Sequence, residues 1–344
     1  GNPSIVKSIN DDIKLMNLPA NIQAKNGNDL ISIARCAVCI SKIKNNEKIN
    51  FTECSICYNK ECFCSAFIKQ FEHTTGKKLP KNNKKVDFPL LGYILGQVCT
   101  LKCKHCNMFM PYYKEHVGYT AKDILEDLEL LFRHVDYIVA YRILGGEPLI
   151  NNELEDMIKQ IGDRYGDRIG NIGIITNGTL LPDEKLIETS KKYNVKFDFS
   201  DYTDVVDYKK RFDESVKIVS DAGLRYSVNR SLRWCDFGFP VNNRMYDFDK
   251  VREHMLSCGP IFHGLNDGKY YYCHVSWSAD KAKLLKNVPD DYVDLRTLDD
   301  DDRAKEAILE HSNGNMAKGF VKLCKICGGC GNDNTEFVKA AEQM

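Results

Sequence analysis

No stretch of the 344 residues approaches the roughly 18 consecutive apolar positions a bilayer-crossing helix needs. The opening residues, GNPSIVKSIN, lack the basic start and apolar run of a secretory signal. Net charge is absent too, with 48 Lys and Arg against 48 Asp and Glu. No overall field therefore draws the chain to nucleic acid or to an anionic membrane. Internal repeats are missing, and no low-complexity segment is longer than a linker. A hydrophobic share of 43% beside 28% charged residues excludes disorder and collagen-like repetition. These absences together lead us to expect a cytoplasmic protein of two to three domains at about 150 residues each.

What the chain has in excess is cysteine, 15 in all. They fall at 36–64, 99–106 and 258–330, with Cys235 alone between the last two groups. An odd count in a long, reduced chain fits a disulfide scaffold badly, and clustered thiolates are soft donors suited to zinc or iron–sulfur clusters. Most of these cysteines therefore read as metal ligands.

Residues 74–87 are polar and basic, carry Pro80, and read as a linker after a cysteine-rich N-terminal module. A regular alternation follows. Pro89 to Val98 is a buried strand, and 120–134 is a helix capped by Thr120, with Ile124, Leu128 and Leu131 on one face. Asp136 to Leu144 is a strand, and Leu154, Met157, Ile158 and Ile161 mark the next helix. Strands at 170–176, 195–200 and 224–229 alternate with helices at 183–193 and 208–222. Helices between buried strands predict an α/β fold with a parallel sheet, whose ligands sit at the C-terminal strand edges. Past residue 230 the regularity weakens.

The central constellation is Cys99-Thr-Leu-Lys-Cys103-Lys-His-Cys106, a loop following a strand. Three thiolates on one tight loop can hold three irons of a cubane cluster and leave the fourth open to a small molecule. Gly145-Gly146-Glu147-Pro148 ends the second strand, and Thr176-Asn177-Gly178 closes the third. Two glycines permit close backbone approach, and a carboxylate accepts from an ammonium. Taken alone, the first is also a helix-capping turn and the second simply a good turn.

Together the three motifs resemble the radical S-adenosylmethionine (SAM) enzymes. The resemblance implies a partial (β/α)6 TIM-like barrel with the cysteine-rich N-terminal module and a small C-terminal iron–sulfur extension. Its units would be residues 1–87, 88–255 and 256–344, the last ending in a helix. It implies a [4Fe–4S] cluster on Cys99, Cys103 and Cys106, with SAM's amino group bound by Gly145, Gly146, Glu147 and Pro148. Thr176 and Asn177 would lie near the cofactor, with His105 beside adenine and Ser200 or Asp201 against the ribose. A strand-ending turn explains Ser200 nearly as well. The implied chemistry is reductive cleavage of SAM to a 5′-deoxyadenosyl radical, fed by a reductase, flavodoxin or ferredoxin, followed by hydrogen abstraction from a small-molecule or peptide substrate.

Cys258, nine residues, Gly268, four residues and Cys273 resemble the opening of the SPASM and Twitch auxiliary-cluster extensions, here the shorter Twitch form. Cys258, Cys273, Cys324 and Cys327 would hold an auxiliary [4Fe–4S] cluster, with Cys330 spare or an alternate. Four thiolates suit zinc equally well. Near the start, Cys36-Ala-Val-Cys39 and Cys54-Ser-Ile-Cys57 have zinc-knuckle spacing, with a third iron–sulfur cluster as the other option. Cys235 reads either as a packed core cysteine or as a thiol returning a hydrogen atom to a substrate radical. Trp234, Asp236 and Arg233 beside it suit a sugar or an interface. The substrate classes that follow are a sugar, cyclitol or sugar nucleotide, or a peptide modified by a maturase or epimerase with Cys235 as hydrogen donor. A non-catalytic iron–sulfur carrier is disfavoured by the intact three-cysteine loop.

Overall fold

Five strands follow one another through the sheet in chain order, as the alternation of apolar runs and amphipathic helices requires. The computed structural model describes residues 87–116, 118–241, 248–258, 263–299, 302–312, 314–331 and 333–344. The strands are β1 (Asp87–Ile94), β2 (Tyr137–Leu144), β3 (Ile172–Thr176), β4 (Lys196–Asp201) and β5 (Tyr226–Arg230), each parallel to the next. Between them run α1 (Ala121–Phe132), α2 (Leu154–Tyr165), α3 (Glu184–Lys192) and α4 (Lys209–Asp221). Thr120 caps α1 as expected: its side chain accepts from the Asp123 N–H, and Asp123 accepts back from the Thr120 N–H. Ile124, Leu128 and Leu131 are buried on the sheet side, as are Met157, Ile158 and Ile161 of α2. Among the described residues no helix is long and apolar enough to cross a membrane. The N-terminal cysteines Cys36, Cys39, Cys54 and Cys57, and the zinc expected on them, lie outside the described residues.

The sixth parallel strand is not where chain order would put it. Residues after β5 form β6 (Arg233–Cys235), which leaves the sheet and pairs antiparallel with β10 (Phe337–Lys339). This strand is the last element of the chain among the described residues, rather than a helix. The sixth parallel strand is instead β7 (His263–Asn266), which joins the far side of β1. There β8 (Lys269–Tyr271) and β9 (Tyr292–Asp294) extend it antiparallel, giving the order β5-β4-β3-β2-β1-β7-β8-β9. Asp267 and Gly268, both left-handed at φ 56° and 67°, make the two-residue turn between β7 and β8 expected from Asn266-Asp267-Gly268. Helix α5 (Phe248–Cys258) runs across the expected boundary at 255–256, and α6 (His274–Lys281) and α7 (Asp302–Ser312) complete the C-terminal part. That part therefore shares a sheet with the core instead of standing apart from it.

Charge inside the sheet is matched by design of register. Arg142, Gly173 and Lys196 stand side by side on β2, β3 and β4. A Cβ at Gly173 would come within 2.8 Å of the Arg142 side chain. The glycine thus lets the guanidinium cross β3 to Asp198, which it meets at 3.1 Å, with Lys196 also at 3.1 Å. Burial raises the Asp198 carboxyl, but Arg142 and Lys196 outweigh it and hold the group below its ordinary range.

On the opposite face, α1 anchors the β7–β8 turn through Asp127, which accepts from the Gly268 N–H. Here burial outweighs the Gly268 and Tyr93 donors and pushes the Asp127 carboxyl up to about 6. The folded carboxyl thus binds its proton more tightly than the unfolded one. Its stabilising contribution is full below about pH 4 and is lost as pH rises through 6. Asp127→Asn keeps an acceptor for Gly268 and removes the charge. By urea unfolding the variant should be more stable than the parent at pH 7.5 by about 2–3 kcal/mol, with the gap closing towards pH 4. Equal gaps at both pH values would refute the assignment.

Candidate active site

The C-terminal ends of β1, β2 and β3 bring the three motifs together. The strand expected to run to Val98 stops at Ile94, because beyond it the backbone peels away to meet the turn after β2. There Gly146 N–H donates to Gly96 O at 3.0 Å and Glu147 N–H to Val98 O at 2.9 Å. A Cβ at Gly146 would fall 1.9 Å from Val98 O, and one at Gly145, whose φ is 156°, 2.9 Å from Gly96 O. Only glycines permit this backbone-on-backbone contact, and Cys99 follows it directly.

Glu147, 3% exposed, is the hub between the turn and β3. One carboxylate oxygen accepts from the Thr176 hydroxyl at 2.8 Å and the Leu149 N–H at 3.1 Å, the other from the Asn177 N–H at 2.8 Å. Burial pushes its carboxyl up to about 7 against these three donors. Pro148, buried, opens the 3-10 turn Pro148–Ile150 that carries the chain away. Asn177 turns towards the cysteine loop, its amide donating to Thr100 Oγ1 at 3.0 Å and to Cys99 Sγ at 3.6 Å. Tyr208, which the sequence reading missed, fixes this segment from below by donating to Asn177 O at 2.9 Å. Ser200 stands inside β4 opposite Asn229, one strand further along, beside Tyr202.

Within the loop, Cys106 N–H donates to Cys103 O and Phe109 N–H to Cys106 O, which tightens the turn around the thiols. Burial pushes Cys99 up to about 11, helped by Glu147 and Cys106 and opposed by Asn177, and pushes Cys106 up to about 11 as well. The thiols are near enough to feel one another's charge, as Cys103 feels Cys99. His105 faces Glu342, with Nε2 3.5 Å from its carboxylate. Among the described residues, no three His, Cys, Asp or Glu side chains stand at chelating spacing as they are. The donor set nonetheless fits a cluster with three protein ligands: three thiols on one turn, N–H donors aimed at sulfur, and a glycine floor that no side chain occupies.

A second cysteine group lies at the end of α5 and beyond. Cys258 Sγ is 3.8 Å from Cys330 Sγ, and the Cys330 N–H donates to Cys258 Sγ at 3.5 Å. Cys327 Sγ accepts from the Gly329 N–H at 3.3 Å, where Gly329 is left-handed at φ 62°. Cys273 stands immediately before α6 without a side-chain cap bond, and Cys324 sits in the 3-10 turn Lys322–Lys325. The thiols of Cys258, Cys273, Cys324 and Cys327 lie close enough that Cys324 is raised by burial and by the other three. His254 props the group, pairing with Asp333 at 2.5 Å and bonding Cys327 O at 2.8 Å. Cys235, solitary in sequence, is half-buried, and its thiol lies within electrostatic reach of Cys258 and Cys330.

Residues 93–228 match the model of the Radical SAM superfamily. Among curated proteins, the "GTP 3',8-cyclase" of Campylobacter jejuni subsp. jejuni serotype O:2 is 31% identical over 148 residues, 40% of this chain and 42% of that protein. The "GTP 3',8-cyclase 1" of Mycobacterium tuberculosis is 32% identical over 92 residues, 25% of this chain and 24% of that protein. The chain thus spans less than half the length of these curated relatives. Among solved structures, BtrN in complex with AdoMet and 2-DOIA superposes with a TM-score of 0.42 at 17% identity, covering 75% of this chain and 98% of that one. Native anSMEcpe with bound AdoMet and Kp18Cys peptide gives a TM-score of 0.44 at 14% identity, covering 69% and 83%. The cysteine loop, the Gly-Gly-Glu turn and Asn177 thus gather at one sheet edge inside residues 93–228, the segment of this chain that matches the Radical SAM superfamily.

Proposed function

We propose that this chain is an enzyme that cleaves SAM reductively and takes a hydrogen atom from a polar small molecule, a sugar, cyclitol or sugar nucleotide, in an oxidation, epimerisation or elimination. The observation that carries the reading is the convergence of Cys99, Cys103 and Cys106 with Gly145–Glu147 and Asn177 at the ends of β1, β2 and β3. The relatives named GTP 3',8-cyclase act, by that name, on a nucleotide, which supports the nucleotide end of this substrate range.

In this reading Cys99, Cys103 and Cys106 hold a [4Fe–4S] cluster, and the cluster and SAM together supply a 5′-deoxyadenosyl radical when an electron donor, a reductase, flavodoxin or ferredoxin, delivers one electron. The carbonyls of Gly145 and Gly146, with Glu147, receive the ammonium of SAM, and the buried carboxylate offers its charge in a site shielded from water. Thr176 and Asn177 hold Glu147 in place, and Ser200 and His105 line the cofactor's sugar and base. Cys258, Cys273, Cys324 and Cys327 or Cys330 hold an auxiliary [4Fe–4S] cluster of the Twitch kind, with zinc as the other metal these donors suit. The peptide-modifying reading needs the half-buried Cys235 thiol to face substrate as hydrogen donor.

Anaerobic reconstitution should load iron and sulfide, and the reduced protein should form 5′-deoxyadenosine from SAM. Replacing Cys99, Cys103 and Cys106 together with Ala should abolish that product and remove about four irons per chain. A loaded, reduced parent that leaves SAM intact would sink the reading. Deuterium carried from labelled sugar nucleotides, and not from labelled peptides, into 5′-deoxyadenosine is the expected mark of substrate class. Gly146→Ala should cost about 3 kcal/mol in urea unfolding, because Val98 must move before the methyl fits. An unchanged urea midpoint would show that the two backbones do not need their contact.

A further inference from the structure

Residues 340–344 cross the cysteine loop as a strap. Ala340 N–H donates to Leu232 O at 3.1 Å, and Ala341, fully buried and left-handed at φ 53°, packs on Leu101 and Cys103. Lys104 N–H donates to Glu342 O at 2.7 Å, and Met344 N–H donates to Lys102 O at 2.9 Å. Cys103 and Gln343 pair as an antiparallel bridge. Outside this ladder the Glu342 carboxylate lies 3.6 Å from Lys104 Nζ and 3.5 Å from His105 Nε2.

The Gln343 side chain completes the strap on its inner side. Its oxygen accepts from the Lys102 N–H at 2.8 Å, which fixes which end of the amide points where. The amide nitrogen is left facing Cys103 Sγ at 3.4 Å and Ala341 O at 2.7 Å. Cys103 is 7% exposed, so this donor meets sulfur out of reach of most water.

We infer that Gln343 is a positioning residue for the SAM-cleaving site: held by Lys102, it donates a hydrogen bond to the Cys103 thiolate and sets how readily the cluster on that cysteine accepts an electron. The inference rests on the radical SAM reading of Cys99, Cys103 and Cys106. An N–H aimed at a ligand sulfur stabilises the extra negative charge of the reduced cluster more than it stabilises the oxidised one. Asn177 makes a comparable bond to Cys99 but belongs to the cofactor-lining segment. Gln343 lies 240 residues from Cys103 in sequence, and its outer side faces solvent, so its donor can be removed without emptying the core.

The test uses the full chain, reconstituted anaerobically, as parent, Gln343→Leu and Gln343→Glu. Iron is counted and the midpoint of the three-cysteine cluster is followed by electron paramagnetic resonance in a redox titration. Gln343→Glu keeps the acceptor for Lys102 and places a carboxylate oxygen where the donor was. It should therefore shift the reduction equilibrium towards the oxidised cluster by at least about tenfold, which is 59 mV for a one-electron couple. Gln343→Leu should shift it the same way by several-fold. In the apo chain, amide hydrogen exchange at Lys102 should quicken in Gln343→Leu and stay at the parent rate in Gln343→Glu. Loaded Gln343→Glu at the parent midpoint would overturn the inference and leave the radical SAM reading standing, since a purely structural strap moves exchange and not potential. A parent that takes up no cluster would overturn both. If Gln343→Leu fails to load, the Glu variant decides alone.

Discussion

Two backbones meeting with no side chain between them place the cysteine loop of this protein. Gly145 and Gly146 lie against residues 96–98, and the hydrogen bonds from Gly146 and Glu147 turn the chain so that Cys99 emerges over the ends of β2 and β3. Everything else at the site is referred to that contact. Glu147 is carried by the same turn and reaches Thr176 and Asn177, and Asn177 in turn reaches Cys99. The three motifs are thus one connected body, and a displacement at any of them is felt at the thiols.

The site carries charge in places where charge is costly. Glu147 has three donors and, among the described residues, no ion-pair partner, and Cys99 and Cys106 are raised by burial. The contrast with Asp198 is instructive, since that equally buried carboxylate has Arg142 and Lys196 beside it and ends below its ordinary range. One acid is neutralised internally and serves the sheet. The other is held by neutral donors and stays high.

Elements with a strong local period were legible in the sequence. The helices at α1 through α4 and the strands between them follow from apolar spacing and from caps such as Thr120, because those signals lie within a few residues of one another. Boundaries were less legible where tertiary contact decides them. Val98 looks like strand by composition, yet the chain leaves the sheet after Ile94 to meet Gly145 and Gly146. The place of the sixth parallel strand also escaped, since nothing local tells β7 to choose β1 over β5. At the site, the cysteines, the glycine turn and Asn177 carry recognisable chemistry in their own spacing. Gln343 does not, because an amide in an ordinary polar stretch gains its meaning only from a partner 240 positions earlier. Cys235 is similar: it looks solitary in sequence, and the β6–β10 ribbon sets it opposite Phe337, within electrostatic reach of Cys258 and Cys330.

The position of β1 has a consequence for the order of events during synthesis. Among the described residues it is the one strand with parallel neighbours from both parts of the chain, β2 soon after it and β7 about 170 residues later, where Asn266 also bonds Ile94. The final tie across the cysteine loop comes later still, from residues 340–344. Contacts separated by so much sequence close late, after loops of this length have found their ends. A ribosome-bound chain will therefore have its thiols exposed on a half-built sheet long before their pocket is closed. On the proposed reading, the cluster must reach that loop, or oxidants be kept from it, within a window set by synthesis of the 240 residues between Cys103 and Gln343.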